Sequence, residues 1–128
     1  MFQIELRPVA IGKRVIKIRR TPPSLNARMH WAVRAKWTEA WKASVAEELQ
    51  SIKATKNLGK IKIIIHNHAI RPCDTDNMFA SIKPITDAIV QYGIVEDDSS
   101  EFVKYDYETK KVHHRVDERF FIQIISVK

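Results

Sequence analysis

Ile61, Ile63 and Ile65 stand at every second position of a short run, between two segments whose apolar residues recur at spacings of three and four. Alternation by two puts side chains on one face of an extended strand, whereas spacings of three and four draw a stripe along a helix. A β-branched strand set between two helical stripes points to helices packed on a sheet. Its apolar content places the strand centrally, with both faces expected to be buried.

The flanking segments extend this reading. Phe2, Ile4 and Leu6 alternate with Gln3, Glu5 and Arg7, and Ile16 and Ile18 with Val15 and Lys17, so two strands joined near Gly12 are expected as a hairpin. Pro22 and Pro23 then interrupt regular structure, because proline lacks an amide donor and drives its predecessor toward extended geometry. A helix follows, with Asn26 placed to cap it and Trp37, Trp41, Val45, Leu49 and Ile52 as its buried stripe. A second stripe runs through Met78, Ile82, Ile85 and Ile89 to a stop at Gly93, and Pro84 predicts a kink or break near Lys83. Two closing strands are read over Phe102 to Glu108 and Phe120 to Val127. The expected fold is α+β, one domain over residues 1–128, in the order β-β-α-β-α-β-β, with both helices on a mixed sheet.

Charge separates the two halves of the chain. Residues 1–60 carry 13 Lys/Arg against 4 Asp/Glu, and residues 61–128 carry 9 against 11. A surface of this sign suits a polyanion, whose condensed counterions are released on binding. The candidate DNA-binding residues are Arg14, Lys17, Arg19, Arg20, Asn26, Arg28, Arg34 and Lys36. Cys73 is the single cysteine, so no internal disulfide forms, and no secretory leader or bilayer-length apolar run is visible. The expectation is an intracellular, cytoplasmic, reduced protein without membrane contact.

Acids gather at two places. Asp74-Thr75-Asp76-Asn77 lies where a strand passes into a helix, and Asp74 and Asp76 converge only if that segment is extended. Standing alone, such a string is most often a helix cap. Glu96-Asp97-Asp98 follows the Gly93 stop. If the chain reverses there and re-enters the sheet, an acid of this second cluster returns toward Asp74. Carboxylates drawn together repel unless a cation neutralises them, and hard divalent ions, Mg²⁺ or Mn²⁺, suit oxygen donors.

The order Asp74-Thr75-Asp76-Asn77, Ile82-Lys83-Pro84, Asp87-Ala88-Ile89, Gly93-Ile94-Val95 and Asp97-Asp98, preceded by Thr21-Pro22-Pro23-Ser24-Leu25-Asn26, resembles the RusA family of Holliday junction resolvases. The resemblance covers most of residues 15 to 105. It implies a Mg²⁺-dependent homodimer that resolves four-way DNA junctions by paired, symmetric nicks, in a family frequent in bacteria, phages and prophages. It places the catalytic and metal-binding acids at Asp74, Asp76 and Asp98, with Asp97 the weaker claimant, and the essential lysine at Lys83, four residues before Asp87. The stretch between Asn77 and Lys83 is longer than in the bacterial prototype of the family. No small-molecule cofactor is implied.

Other strings carry less. His66-Asn67-His68 spells the letters of HNH nucleases, but in those enzymes the letters are spread over two strands and a helix; with Cys73 the two histidines still fall short of a four-ligand zinc site. His30, among Arg28, Trp31 and Arg34, is a further candidate for touching DNA, and Trp37 and Trp41 read as core by their helical spacing. The alternative function is a non-catalytic protein that binds branched or single-stranded DNA, for which the basic half alone suffices.

Overall fold

The computed structural model of the protein describes residues 2–24 and 27–127. Its strands are β1 (Phe2–Glu5), β2 (Val9–Ile11), β3 (Lys17–Arg19), β4 (Lys60–Ala69), β5 (Val103–Lys111) and β6 (Arg119–Val127). Its helices are α1 (Trp31–Ser51), α2 (Thr75–Ser81) and α3 (Lys83–Tyr92), with a 3₁₀ turn at Arg115–Asp117. The main sheet runs β1-β6-β4-β5; β4 and β5 are parallel, and the other neighbours are antiparallel. The expected α+β class with helices on a mixed sheet therefore holds.

Burial alternates cleanly along β4. Ile61, Ile63, Ile65, Asn67 and Ala69 face the helices and are buried, while Lys62, Ile64, His66 and His68 face the other way and are partly exposed. This corrects the expectation of a strand covered on both sides: the helices lie over one face only. The core between them is closed by Trp37, Trp41, Val45 and Leu49 of α1, Ile85 and Ile89 of α3, and Phe120, Ile122 and Ile124 of β6. Trp41 meets Phe120 edge to face at 6.2 Å, a favoured aromatic geometry. The stripe of α1 ends one turn early, because Ile52 is the C-cap and stays exposed.

The N-terminal hairpin differs from the expected one. Phe2–Glu5 pairs with β6, with Phe2 opposite Ile124, and the hairpin is β2 against β3, with Val9 opposite Arg19. Pro8 separates the two strands, since it has no amide to offer a ladder. Asn26 lies outside the described residues, and the cap of α1 is His30, whose Nδ1 accepts from the Ala32 amide at 3.1 Å.

The proline break appears where expected. The second helical stripe divides at Ile82 into α2 and α3, with Pro84 in the first turn of α3, where its missing amide has no helical partner to lose. Gly93 ends α3 in the left-handed region at φ +100°, and its amide donates to Val90 O at 3.0 Å. The amides of Asn57 and Leu58 donate to the carbonyls of Gly93 and Ile94, and the Ile61 amide to Phe102 O. These bonds fasten both ends of the 94–102 loop beside the start of β4.

Candidate active site

Asp74 is the N-cap of α2: its Oδ1 accepts from the Asn77 amide at 2.8 Å, on extended backbone at ψ 169°. The helix begins at the next residue, so Asp76 lies within its first turn. Extended geometry therefore stops at Asp74, and the convergence of Asp74 and Asp76 that required it is not formed. The helix cap expected of this string is Asp74. Asp74 and Asp76 are both exposed.

A lattice of partly buried polar contacts holds the approach to Asp74. Tyr107 Oη donates to Cys73 O at 2.9 Å and accepts from Asn67 Nδ2 at 3.0 Å. Asn67 Oδ1 accepts from Arg20 Nη1 at 2.6 Å, Arg20 pairs with Glu118 at 3.6 Å, and a Glu118 carboxylate oxygen accepts from the Ile70 amide. Burial pushes the Tyr107 hydroxyl up to about 12. Sequence reasoning missed this lattice. One signal was present: Asn67 continues the buried phase set by Ile61, Ile63 and Ile65, where a polar side chain needs partners.

Lys83, Asp87 and Asp98 form the charged centre. The Lys83 ammonium, at the start of α3, reaches Asp87 Oδ1 at 3.1 Å one turn along the helix and donates to the Asp98 carboxylate from the 94–102 loop. Asp98, and the Asp87 bond behind it, hold the Lys83 pKa well above its ordinary value. The same bond to Lys83 depresses the Asp98 carboxyl. Asp97 has a different role, accepting from the Asp98 amide at 2.8 Å. Of the two neighbouring acids, Asp98 is thus the one that meets the lysine.

Beside this centre opens a cleft of about 450 Å³ whose walls include Phe79, Ile82, Lys83, Thr86, Asp98 and Tyr105. Phe79 and Tyr105 face each other at 6.0 Å, and the hydroxyls of Thr86 and Tyr105 bond at 3.0 Å. Desolvation raises the Tyr105 pKa, so this hydroxyl stays protonated. Phe79, Thr86 and Tyr105 were not picked out from the sequence, although Tyr105 and Tyr107 alternate toward one face.

Among the described residues, no three His, Cys, Asp or Glu side chains stand close enough to hold a metal ion. The return of Asp98 to the α2–α3 side is present; its closure with Asp74 and Asp76 into one coordination sphere is not. The donors suit Mg²⁺ or Mn²⁺ chemically, being accessible carboxylate oxygens, and Mg²⁺ commonly completes its shell with water and substrate phosphate.

The basic candidates divide by position. Arg14, Lys17, Arg28 and Lys36 are exposed, and the Arg19 guanidinium lies over the Trp37 ring at 5.6 Å. Arg20 is engaged in the Asn67 lattice, and Arg34 donates to Ser24 O and Ala27 O, fastening the segment before α1. Asn26 lies outside the described residues. Trp37 and Trp41 are core. His66 stacks on Phe121 at 4.4 Å and bonds Gln123, on the face opposite Asn67 and Tyr107, so Cys73 and the two histidines do not assemble. Among the described residues, no helix is long and apolar enough to cross a membrane. No protein-family model matches the chain, and no curated protein matches it.

Proposed function

We propose that the chain is a divalent-cation-dependent endodeoxyribonuclease that nicks branched DNA, four-way junctions above all, and acts as a homodimer. The observation that carries the reading is the Lys83–Asp98 pair: an acid from the loop after Gly93 returns to the start of α3, the second helix after the Asp74 cap. The resemblance of its motif order to that of the RusA family and the basic first half support it.

Asp74, Asp76 and Asp98, which the structure does not gather into one shell, would have to draw together to hold the cation, and the cation would activate water and neutralise charge on the scissile phosphate. Asp98 and Asp87 together keep the Lys83 ammonium charged at the wall of the cleft. There it would donate to a phosphate oxygen as negative charge accumulates, a contribution of roughly a hundredfold in rate for one such donor. Two scissile strands in a junction call for two sites, which a two-fold dimer supplies.

The test is nicking of a synthetic four-way junction beside linear duplex of the same sequence. Cleavage is expected in Mg²⁺ and absent in EDTA. Asp74→Asn keeps a side chain able to cap α2, and is expected to lose nicking by a hundredfold or more while still binding the junction. Wild-type rates in that variant, or cleavage in EDTA, would overturn the assignment. Binding without cleavage is the second reading, favoured by the lack of a three-acid cluster among the described residues; a junction bound but left intact in both Mg²⁺ and Mn²⁺ would establish it.

A further inference from the structure

The β2–β3 hairpin exposes what a hairpin ordinarily hides. Val15, Ile16 and Ile18 are 73%, 64% and 67% exposed, and Trp31, the first residue of α1, is 77% exposed. Single exposed apolar residues are ordinary, but three large ones on one short hairpin mark a contact surface. The turn that presents them is tightly built. Gly12 sits at φ +108°, and a β-carbon there would collide with the Val15 carbonyl oxygen, so only glycine fits.

The surroundings are uniformly basic. Between Glu5 and Glu39 the chain carries no acidic residue. Lys13, Arg14 and Lys17 flank the exposed apolar side chains. A groove of about 460 Å³ runs between β3 and the start of α1, with Lys17, Arg19 and Arg28 among its walls and Met29, Val33 and Trp37 also lining it.

We infer that the hairpin and the first turn of α1 form a second DNA contact, in which the basic groove follows the phosphate backbone and Val15 and Ile16 enter an opened base step at the branch. This choice of ligand rests on the branched-DNA reading above, but the surface uses none of the residues of the Lys83–Asp98 site. Charge selects the occupant. A second copy of the chain would bring like charge against like, and a bilayer meets a face rather than a cleft, whereas a nucleic-acid strand supplies a line of phosphates beside stackable, apolar bases. Apolar wedges on basic supports act in this way where DNA is kinked or unstacked.

Trp31 supplies the probe, since Trp37 and Trp41 are buried. With EDTA present, so that no cleavage occurs, the protein is titrated with a four-way junction carrying 2-aminopurine at the branch and with linear duplex. Affinity is read from the anisotropy of a distant label. Junction binding is expected to shift Trp31 emission and brighten the 2-aminopurine. Val15→Asn with Ile16→Asn should weaken junction binding by about tenfold and abolish the 2-aminopurine response, leaving duplex affinity unchanged. Arg14→Gln with Lys17→Gln and Arg28→Gln should weaken both ligands and flatten the salt dependence, by roughly 0.9 in log–log slope for each lost phosphate contact.

Wild-type junction affinity in the apolar double variant overturns the inference, as does unchanged Trp31 emission in the bound complex. So does an effect of that variant confined to phosphatidylserine vesicles, or to self-association in sedimentation. A protein that nicks junctions yet ignores the apolar substitutions sinks this inference alone. One that binds junctions through the hairpin but never nicks sinks only the cleavage reading.

Discussion

Lys83 is the cation that balances Asp87 of α3 and Asp98 of the following loop. Its ammonium depresses the Asp98 carboxyl, so that group contributes stability above its unfolded value of 3.8, and the contribution disappears as pH falls through the lower folded value. In Lys83→Met the Asp98 carboxyl should return toward the usual carboxylate range. Carbon-detected NMR titration of the side chain reads this directly, and an Asp98 that still titrates low would show that another partner holds it. Part of this centre was legible in the sequence, because Lys83 and Asp87 are one helical turn apart and must neighbour each other on a helix. The meeting of Lys83 with Asp98 was not fixed by any local spacing; it depends on the route of the loop after Gly93. The Asn67 lattice was less legible still, since its partners Arg20, Tyr107 and Glu118 lie on segments remote in the chain.

Among the elements, punctuation carried more information than periodicity. Pro84 and Gly93 located the break before α3 and its end, because one lacks a donor and the other alone tolerates a left-handed turn at little strain. At Gly93 an added β-carbon would meet only the Lys56 side chain, at 3.6 Å and beyond, which is ordinary contact. Gly93→Ala should therefore destabilise through backbone strain, by about 1 to 2 kcal/mol, seen in urea unfolding as a lower midpoint at unchanged slope. Strand partners were not legible in the same way. Alternation in Phe2, Ile4 and Leu6 tells which residues share a face, yet nothing within the segment states that its neighbour is β6 rather than the strand next in sequence. The helix at Thr75 overrode the extended reading of Asp74 to Asp76 because the Asp74 side chain satisfies the Asn77 amide and lets the first turn close at once.

For the whole molecule, stability concentrates where the one-sided helical layer meets β4 and β6. Ile63 is 1% exposed on that face, and its truncation to alanine should cost about 2 to 5 kcal/mol, measurable by urea or thermal unfolding; a loss below 1 kcal/mol would mean that the layer closes over the gap. The fold class and the layering of helices on a mixed sheet were readable from the alternating and helical stripes. The uncovered second face was not, because isoleucine at every second position of β4 masked how polar the intervening Lys62, His66 and His68 are.

The sheet order adds a constraint on how the chain reaches its final form. Since β6 lies between β1 and β4, the first strand has no hydrogen-bonding neighbour in the sheet until the last one arrives, and β4 is bordered by β5 alone. A polypeptide stopped short of Arg119 would thus leave two ladders open and Ile4, Ile63 and Ile65 without their cross-strand neighbours Ile122 and Ile124. Such a fragment has every feature of a species that sticks to its own copies, so the assembly of this sheet is gated by its final nine-residue strand.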